Sequence, residues 1–301
     1  MKLVHYFLEH PHKKNHSAIK RMCESCDIEY EETNNRERLK INDYDILIAM
    51  INYVDPYTIP ENIKIIYGPH FFVFPSGPIV GNIDNKLEKR CVYNCLSPWV
   101  GNLWSEYVES LIFPISFFPF SVDIEKFSYS LNHQKNLDCV VYIKRRKNTD
   151  IDYVLSVLNE KQIKYKTFRY GTYYEDDYKN ALCSSKFMIS LDAHESQGFA
   201  LEECMACNVP LLVLDAQSMY EECDDGEKPT YLHHLPKKML STSVPYWSDQ
   251  CGIKVYEKEN INVAIDKMLT DYNTFNPRQY IIDTLSDKVC MKRILNYFKL
   301  N

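Results

Sequence analysis

The chain has 301 residues, a mass of 35.5 kDa and 45% hydrophobic residues. This length and apolar content exclude a disordered protein and are sufficient for two domains, each with a core of its own. The formal net charge of −6 excludes an overall electrostatic basis for binding DNA or RNA.

The cysteines and the lack of long apolar runs indicate in which cellular compartment the protein functions. Eleven cysteines without an N-terminal signal-peptide pattern indicate free thiols, and no apolar run approaches the length of a membrane span. We therefore expect a soluble, cytoplasmic protein. The pairs Cys23/Cys26 and Cys91/Cys95 suggest zinc ligands, but no pair of histidines completes a familiar zinc pattern, so we expect no metal.

Predicted strands and helices alternate along the chain. The first half has strands over 2–8, 44–51, 63–67, 90–96 and 115–120, with a helix over 17–26. The second half has strands over 137–143, 163–169, 187–191 and 211–214, and helices over 151–161, 175–183, 199–207 and 288–299. Such alternation predicts an α/β protein with two parallel sheets covered by helices, that is, two Rossmann-like domains.

Polar residues near the predicted strand ends are the first site candidates, because open α/β sheets bind ligands at that edge. Asn15 and His16 lie before the first predicted helix and are candidates for binding a phosphate or a hydroxyl-bearing acceptor substrate. In the second half, the basic run 144–147 ends a strand, and its charge suits a diphosphate leaving group. Lys144 and Arg146 share a face if the strand continues; the alternative is a solvated basic turn.

The richest segment follows the strand over 187–191. Gly198 lies where the chain turns into a helix, and the amides of Phe199 and Ala200 at the helix start suit a phosphate. Glu195 precedes this anion site and Glu203 lies about one turn inside the helix. A carboxylate accepts two hydroxyl protons at once, as vicinal hydroxyls of a sugar require. The segment therefore suits an activated sugar.

This segment also carries a family resemblance. Its sequence is Glu195-Ser-Gln-Gly-Phe-Ala-Leu-Glu-Glu203-Cys-Met-Ala-Cys-Asn-Val-Pro210. It resembles the signature of retaining GT-B glycosyltransferases of the family 4 type: Glu-x-Phe-Gly, four residues, Glu-Ala-Met-Ala, two residues, and Val/Ile-Pro. Two positions depart from it, since Gln197 replaces the usual aromatic residue and Asn208 a glycine.

The resemblance implies the GT-B architecture, two Rossmann-like domains with a nucleotide-sugar cleft between them. The N-terminal, acceptor-side domain would cover 1–127, with the helix at about 286–301 packing back on it, and the nucleotide-sugar-binding domain 128–285. The segment Phe118–Phe127 resembles the family's Pro-Asn-Gly-Val-Asp segment at the end of the first domain, with Phe120 and Ser121 in place of Asn-Gly.

Roles for individual residues also follow from the resemblance. Glu195 would face the donor sugar, Glu203 would bind the ribose hydroxyls, and His70 would contact the sugar from across the cleft. A structural role for His70 beside two phenylalanines stays an alternative.

Two further segments lie at positions in the chain that correspond to parts of the family's binding site. The loop with Gly171 and Thr172 would pass the nucleobase, unless it is a plain turn. Ser97 would lie near the cleft, at the family's common Ser-x-x position. The family's paired glycines around its diphosphate-binding Arg and Lys are absent near Lys144 and Arg146.

The predicted reaction is transfer of a sugar from a nucleotide-diphosphate sugar, UDP- or GDP-linked, to a hydroxyl of a glycan, glycoconjugate or lipid, with retention at the anomeric carbon. No cofactor other than the donor is expected, and no nucleic acid partner. Peripheral membrane contact and the oligomeric state stay open.

Two alternatives remain. One is a non-catalytic nucleotide- or sugar-binding protein on the same scaffold. The other is a metal-dependent GT-A transferase, for which Asp43-Tyr-Asp45 or Asp150-Ile-Asp152 would supply the Asp-x-Asp motif.

Overall fold

The structure is a computed structural model that describes residues 1–8, 12–69, 79–107, 110–128, 134–224, 226–230 and 240–300. The chain divides into two compact units. Unit 1 comprises Met1–Ser121 and Leu285–Asn301, and unit 2 comprises Val122–Thr284. Each unit is built on its own parallel sheet.

Unit 1 contains a six-stranded parallel sheet in the order β2-β1-β3-β4-β5-β6. Its strands are β1 Lys2–Tyr6, β2 Glu29–Thr33, β3 Ile46–Ala49, β4 Lys64–Tyr67, β5 Cys91–Asn94 and β6 Ile115–Ser116. Its helices are α1 Lys13–Glu24, α2 Pro98–Tyr107 and the C-terminal α8 Asp287–Phe298. The inner strands β3 and β5 are buried along their whole length, as expected of parallel strands covered on both faces.

The predicted strand over 115–120 is wrong beyond residue 116. Only Ile115–Ser116 pairs with β5. The Asn94 side chain then takes over the role of a strand partner, because its Nδ2 donates to the Phe118 carbonyl at 2.9 Å and its Oδ1 accepts from the Phe118 amide at 2.7 Å. The chain thereby leaves the sheet with its backbone groups satisfied.

Unit 2 contains a five-stranded parallel sheet in the order β13-β10-β9-β7-β8 and a short antiparallel pair, β11 with β12. Its strands are β7 Leu137–Lys144, β8 Tyr165–Arg169, β9 Ser185–Asp192, β10 Leu211–Leu214, β11 Cys223–Asp224, β12 Lys228–Pro229 and β13 Gly252–Val255. The helices that follow residue 122 are α3 Asn148–Glu160, α4 Glu175–Cys183, α5 Phe199–Ala206, α6 Ile261–Asp271 and α7 Pro277–Leu285.

Local chemistry explains several boundaries in unit 2. Helix α4 begins with three acidic residues, which suit the positive end of the helix dipole. Asn208 adopts a left-handed conformation (φ 56°) just after α5, as residues that end a helix often do. Pro210 then leads into β10.

Sequence reasoning missed five longer elements, which are β2, α2, β13, α6 and α7. Strand β2 reads Glu-Tyr-Glu-Glu-Thr and lies at the sheet edge, so it lacks the apolar run that marks an inner strand. Strand β13 lies at the other sheet's edge and starts with Gly252. Edge strands need fewer apolar residues because one side has no neighbouring strand.

The eleven cysteines all lie in the described part of the chain, and none forms a disulfide. Within the described ranges, no helix combines the length and apolar character needed to cross a membrane.

Candidate functional site

The candidate site lies at the carboxyl edge of the unit 2 sheet. Strands β7 and β9 run parallel and end at Lys144 and Asp192, which face each other in the sheet register. Strand β10 ends at Leu214 on the other side of β9, and Asp215 follows it. Neighbouring parallel strands end on the same edge, so three strand ends present charged side chains together.

Lys144 forms an ion pair with Glu195, and each side chain keeps only 16% of its exposure. The Lys144 ammonium also lies over the Tyr170 ring, 4.6 Å from its centroid. Burial is the strongest influence on both groups and disfavours both charges. The mutual attraction outweighs it, so the pKa of Lys144 is raised and the pKa of Glu195 is lowered.

The loop after β9 is held by a second buried cluster. The buried carboxylate of Glu222 contacts the His194 ring and forms an ion pair with Arg145. Burial alone would raise the pKa of Glu222, but the His194 hydrogen bond and the charges of His194 and Arg145 lower it to about 2. The backbone amide of Glu195 donates to the Thr242 carbonyl at 3.1 Å. The Glu195 loop is thus attached on two sides.

Gly198 connects this loop to helix α5 and has the left-handed conformation φ 94°, ψ 50°. The space around it is ordinary, since an added Cβ would lie 3.5 Å from the Cβ of Glu195. The backbone conformation is therefore what favours glycine here. The Gly198 carbonyl accepts the first helical bonds, from Leu201 at 3.0 Å and Glu202 at 3.1 Å.

The backbone amides of Phe199 and Ala200 come before Leu201, whose amide makes the first helical hydrogen bond, and they lie at the positive end of the α5 dipole. Gln197 precedes Gly198, and its side-chain Nε2 donates to the buried Glu202 carboxylate at 2.9 Å. Gln197 is itself buried, so this hydrogen bond joins two buried polar side chains.

Glu203 is buried one turn into α5. Burial and then the charge of Glu203 raise the pKa of Tyr173, in the loop that follows β8, to about 12. The same loop contains Gly171, with φ 76°, and Thr172, whose hydroxyl donates to the Arg169 carbonyl at 2.9 Å. The structure therefore brings Glu203 close to the loop predicted to pass the nucleobase.

The strand does not continue to Arg146, because β7 ends at Lys144 and Arg145 has a positive φ of 50°. Arg146 is 4% exposed, and its Nε donates to Asp150 at 2.9 Å. It also donates to the Asp192 carbonyl at 3.2 Å and pairs with Glu221 at 3.4 Å. Its guanidinium is thus occupied by protein acceptors and does not share a face with Lys144.

Candidates in unit 1 have mixed outcomes. His70 lies outside the described residues. Asn15 and His16 lie within the first turn of α1 rather than before the helix, and His16 contacts Glu32 at 3.0 Å. Ser97 is fully buried just before α2, and its hydroxyl has no hydrogen-bond partner among the described residues. The Asn15 side-chain oxygen likewise has none there.

The Asp-x-Asp motifs do not follow strands. Asp43 pairs with Arg38 at 2.8 Å, and Asp45 accepts from the Lys2 amide at 2.8 Å, both ahead of β3. Asp150 and Asp152 lie within α3. Across the part of the chain that the structure describes, no group of three or more His, Cys, Asp or Glu side chains is arranged to hold a metal ion.

Sequence reasoning missed three acidic residues of this edge, Asp192, Asp215 and Glu222. Asp192 and Asp215 had a usable signal, because each is a carboxylate at the end of an apolar run that forms an inner strand. Glu222 lies in a segment without an apolar pattern, and only the fold brings it to His194.

The sequence matches no family model and no curated protein. Several solved structures are similar in fold over the whole chain. Sucrose-phosphate synthase from Thermosynechococcus elongatus has a TM-score of 0.56 at 9% identity, over 99% of this chain and 98% of that one. The lipopolysaccharide outer core galactosyltransferase WaaB has a TM-score of 0.54 at 11% identity, over 99% of both chains. WaaG, a glycosyltransferase involved in lipopolysaccharide biosynthesis, has a TM-score of 0.53 at 11% identity, over 99% of this chain and 100% of its own.

Identities this low show the fold alone. These neighbours are GT-B glycosyltransferases, and the chain has the GT-B fold of two Rossmann-like α/β domains. The predicted fold class is confirmed. The GT-A alternative is wrong, because a GT-A enzyme is built on a different architecture.

Proposed function

We propose that this chain is a retaining glycosyltransferase of the family 4 type, which transfers a sugar from a nucleotide-diphosphate sugar to a hydroxyl acceptor. The observation that carries the proposal is the Lys144–Glu195 pair at the carboxyl edge of the unit 2 sheet. Glu195 lies three residues before the left-handed Gly198, which leads into the helix that bears Glu203. The GT-B fold supports it as a scaffold, although a fold by itself does not define an activity.

The diphosphate is assigned to Lys144 and the start of α5. A diphosphate carries more negative charge than one carboxylate, so an incoming donor competes with Glu195 for the Lys144 ammonium. The amides at Phe199 and Ala200 add the positive end of the helix dipole. As the bond to the sugar breaks, negative charge grows on the diphosphate, and fixed positive groups stabilise it. Arg146 is a weaker candidate because protein acceptors occupy it.

The two glutamates are assigned to sugar hydroxyls. Once Lys144 turns to the diphosphate, the Glu195 carboxylate accepts from the donor sugar and stabilises the positive charge that develops on it. Glu203, near the β8 loop, accepts from the ribose hydroxyls, and Gly171 and Thr172 lie beside the base. Attack from the same face as the departing diphosphate gives retention without a protein nucleophile.

For the acceptor side, His70, Asn15, His16 and Ser97 stay proposals from sequence. We propose UDP or GDP as the nucleotide and no metal ion as a cofactor. Transfer measured with and without a chelator tests the second point, and loss of transfer in the chelator would contradict it.

A second candidate is a nucleotide- or sugar-binding protein without catalytic activity. Protein acceptors occupy the Arg146 guanidinium, and this favours the second candidate. Within the described residues, Lys144 is then the base of the 144–147 run that pairs with Glu195 and could bind the diphosphate. Such a protein would bind the nucleotide and stop there. Detecting donor hydrolysis or transfer separates the two functions.

The first experiment is a thermal-shift panel of UDP, GDP, ADP and their sugars on the full chain. The expected result is a rise in Tm with one nucleotide and its sugars, as ligand binding to the folded state requires. Transfer to simple glycosides with the selected donor follows, and NMR of the product assigns its anomeric configuration. An inverted product would refute retention, and no shift with any nucleotide would refute the donor assignment.

Variants test the residues. Lys144→Met is expected to lower kcat/KM by about 10²–10³-fold, the usual effect of removing one group that stabilises charge in the transition state. Lys166→Met is a matched control, because Lys166 also lies over an aromatic ring, that of Phe168 at 5.0 Å. Glu203→Gln is expected to weaken nucleotide binding, and Glu160→Gln, at the exposed end of α3, is its control. Equal effects of variant and control would contradict the assigned roles.

A further inference from the structure

We propose that Asp192 is a positioning residue for Glu195, joined to it through one proton that resides on Asp192. Lys144, Glu195 and Asp192 together then form a cluster without net charge. The effect on the donor rests on the proposed function, whereas the protonation of Asp192 rests on its burial and on its two charged neighbours, Lys144 and Glu195.

The position of Asp192 is set by the sheet. It ends β9, faces Lys144 in the register with β7, and is fully buried. Its Oδ1 accepts from the Ala193 amide at 2.7 Å. Its Oδ2 is buried and meets no hydrogen-bond donor among the described residues. A buried carboxylate oxygen without a donor is costly if the group is ionised.

The neighbour of Asp192 is a second carboxyl group, because Glu195 follows three residues later, in the loop after β9, and the two side chains interact directly. An ionised carboxylate has only acceptors, so two of them cannot form a hydrogen bond. A proton on one of the two groups removes their repulsion and gives the buried Asp192 Oδ2 a hydrogen to share. Glu195 pairs with the Lys144 ammonium and is the ionised member, which leaves the proton on Asp192.

The other groups around the pair agree with this arrangement. Tyr142 on β7 is a neutral phenol, its pKa raised by burial and then by the charges nearby. The Arg146 guanidinium reaches the Asp192 carbonyl, and His194 adds a charge that favours ionised Glu195. Burial and then the charge of Glu195 raise the pKa of Asp192 well above its ordinary value, against the attraction of Lys144.

This arrangement has a consequence for donor binding. When Lys144 turns to a diphosphate, Glu195 keeps its contact with the protonated Asp192 and stays oriented toward the sugar. A second ionised carboxylate at this place would repel the diphosphate. The neutral Asp192 therefore fixes Glu195 without adding negative charge, which is how a supporting residue orients a group that contacts the ligand.

The direct test is the pH dependence of stability in Asp192→Asn, with Asp138→Asn as control. Asn is neutral and can still donate to Glu195. Below the unfolded pKa of about 4, both states of the wild type carry the Asp192 proton. As pH rises above it, the unfolded state loses that proton first, so the folded wild type loses stability until the folded pKa is passed. The Asn variant has no such loss.

The expected result is that the Tm of D192N minus that of wild type increases from about pH 5 to about pH 8. Asp138 differs because it is paired with Lys186 at 2.7 Å and its pKa is lowered, against burial, by the Lys186 hydrogen bond. D138N should therefore lose Tm relative to wild type, with a gap already present at pH 5. A D192N variant that falls below wild type as D138N does would overturn the proposal.

Infrared spectroscopy gives a readout that needs neither a ligand nor activity. The difference between wild type and D192N at neutral pH should contain the C=O stretch of a protonated carboxylic acid. A carboxylate band in its place would overturn the proposal. If no nucleotide binds wild type, the proposed function fails, while the thermal series and this spectrum still decide where the proton lies.

Kinetics test the positioning role. D192N should retain kcat/KM within about threefold, whereas Asp192→Ala should lose about 10–100-fold, the usual effect of removing a supporting hydrogen bond. The loss should fall on kcat more than on KM, because a misoriented Glu195 still leaves Lys144 to bind the diphosphate. Equal kcat/KM in D192A and wild type, or equal losses in D192N and D192A, would overturn the positioning role.

Discussion

The carboxylate of Asp215 accepts two hydrogen bonds from Ser243, one from its amide at 2.7 Å and one from its hydroxyl at 2.9 Å. The Thr242 hydroxyl and the Lys254 ammonium, at 3.1 Å, reach the same carboxylate. Thr242 also accepts a hydrogen bond at its carbonyl from the backbone amide of Glu195, so this network around Asp215 extends to the Glu195 loop. One buried aspartate at the end of β10 thus supports the Glu195 loop.

Asp215→Ala should therefore be among the more destabilising substitutions in unit 2. It leaves the buried partners of the carboxylate without an acceptor, and breaking a buried ion pair typically costs about 3–5 kcal/mol. Urea unfolding measures the loss. Asp266→Ala is the control, because Asp266 pairs with Lys161 at 2.7 Å but is 61% exposed, so its loss should stay below about 1 kcal/mol. Similar losses of unfolding free energy in both variants would contradict the role of the network around Asp215.

Gly198→Ala should destabilise the protein through its backbone. The left-handed conformation costs an ordinary residue about 1–2 kcal/mol, while the added Cβ finds ordinary contacts. Asn tolerates this conformation better, so Gly198→Asn should lose clearly less in the same unfolding measurement. An Asn variant as unstable as the Ala variant would show that space rather than backbone conformation limits this site.

Gly252 should be less tolerant still. It starts β13 with φ 139°, and an added Cβ would lie 2.0 Å from the Leu211 carbonyl oxygen of the neighbouring strand. Because that atom belongs to the backbone, the clash cannot be relieved by turning a side chain. Gly252→Ala should lower Tm more than Gly198→Ala does. The reverse order in a melting experiment would contradict the packing of β13 on β10.

Glu222 should contribute to stability in acid. Its pKa is about 2 in the folded protein, because His194 and Arg145 outweigh the effect of burial, against about 4.3 for an ordinary glutamate. Its contribution is present above about pH 4.3 and is lost as pH falls toward 2. Glu222→Gln should therefore be less stable than wild type at neutral pH, with the gap closing in that window. Exposed Glu227→Gln is the control and should show no such change in the gap.

His5 should make unfolding pH-dependent at slightly higher pH. It is fully buried, its Nδ1 contacts the Tyr30 hydroxyl at 3.0 Å, and burial and then the charge of His16 lower its pKa to about 3. Between about pH 3 and pH 6.5 the unfolded state binds the extra proton, so stability falls with falling pH, by at most about 1.4 kcal/mol per unit. His5→Gln should remove this slope in urea unfolding at a series of pH values. An unchanged slope would contradict the buried neutral state.

Elements with strong apolar patterns were predicted well. The predicted helix over 175–183 and strand over 211–214 coincide with α4 and β10. Helix α1 begins at Lys13, four residues before the predicted start at 17. The prediction began late because the first turn of the helix is polar and its buried face starts at Ala18. Periodicity detects the buried face of a helix and cannot detect a polar turn ahead of it.

The site was predictable only in part. Lys144 and Glu195 were named from their places at a strand end and in a motif, and they are in contact in the fold. Arg146 was misplaced, because the left-handed Arg145 ends the strand and sends the next guanidinium to Asp150 and Glu221. Nothing in the local sequence marks that turn.

The order of apolar runs and turns along the chain was enough by itself to determine two parallel α/β sheets and the segment that bears the glutamates, because burial periodicity and helix stops are local properties. Tertiary structure alone decided which charges neutralise one another. Lys144 meets Glu195 and Glu222 meets His194 only after the strands align, and ionisation of a buried group depends on neighbours that are distant in sequence.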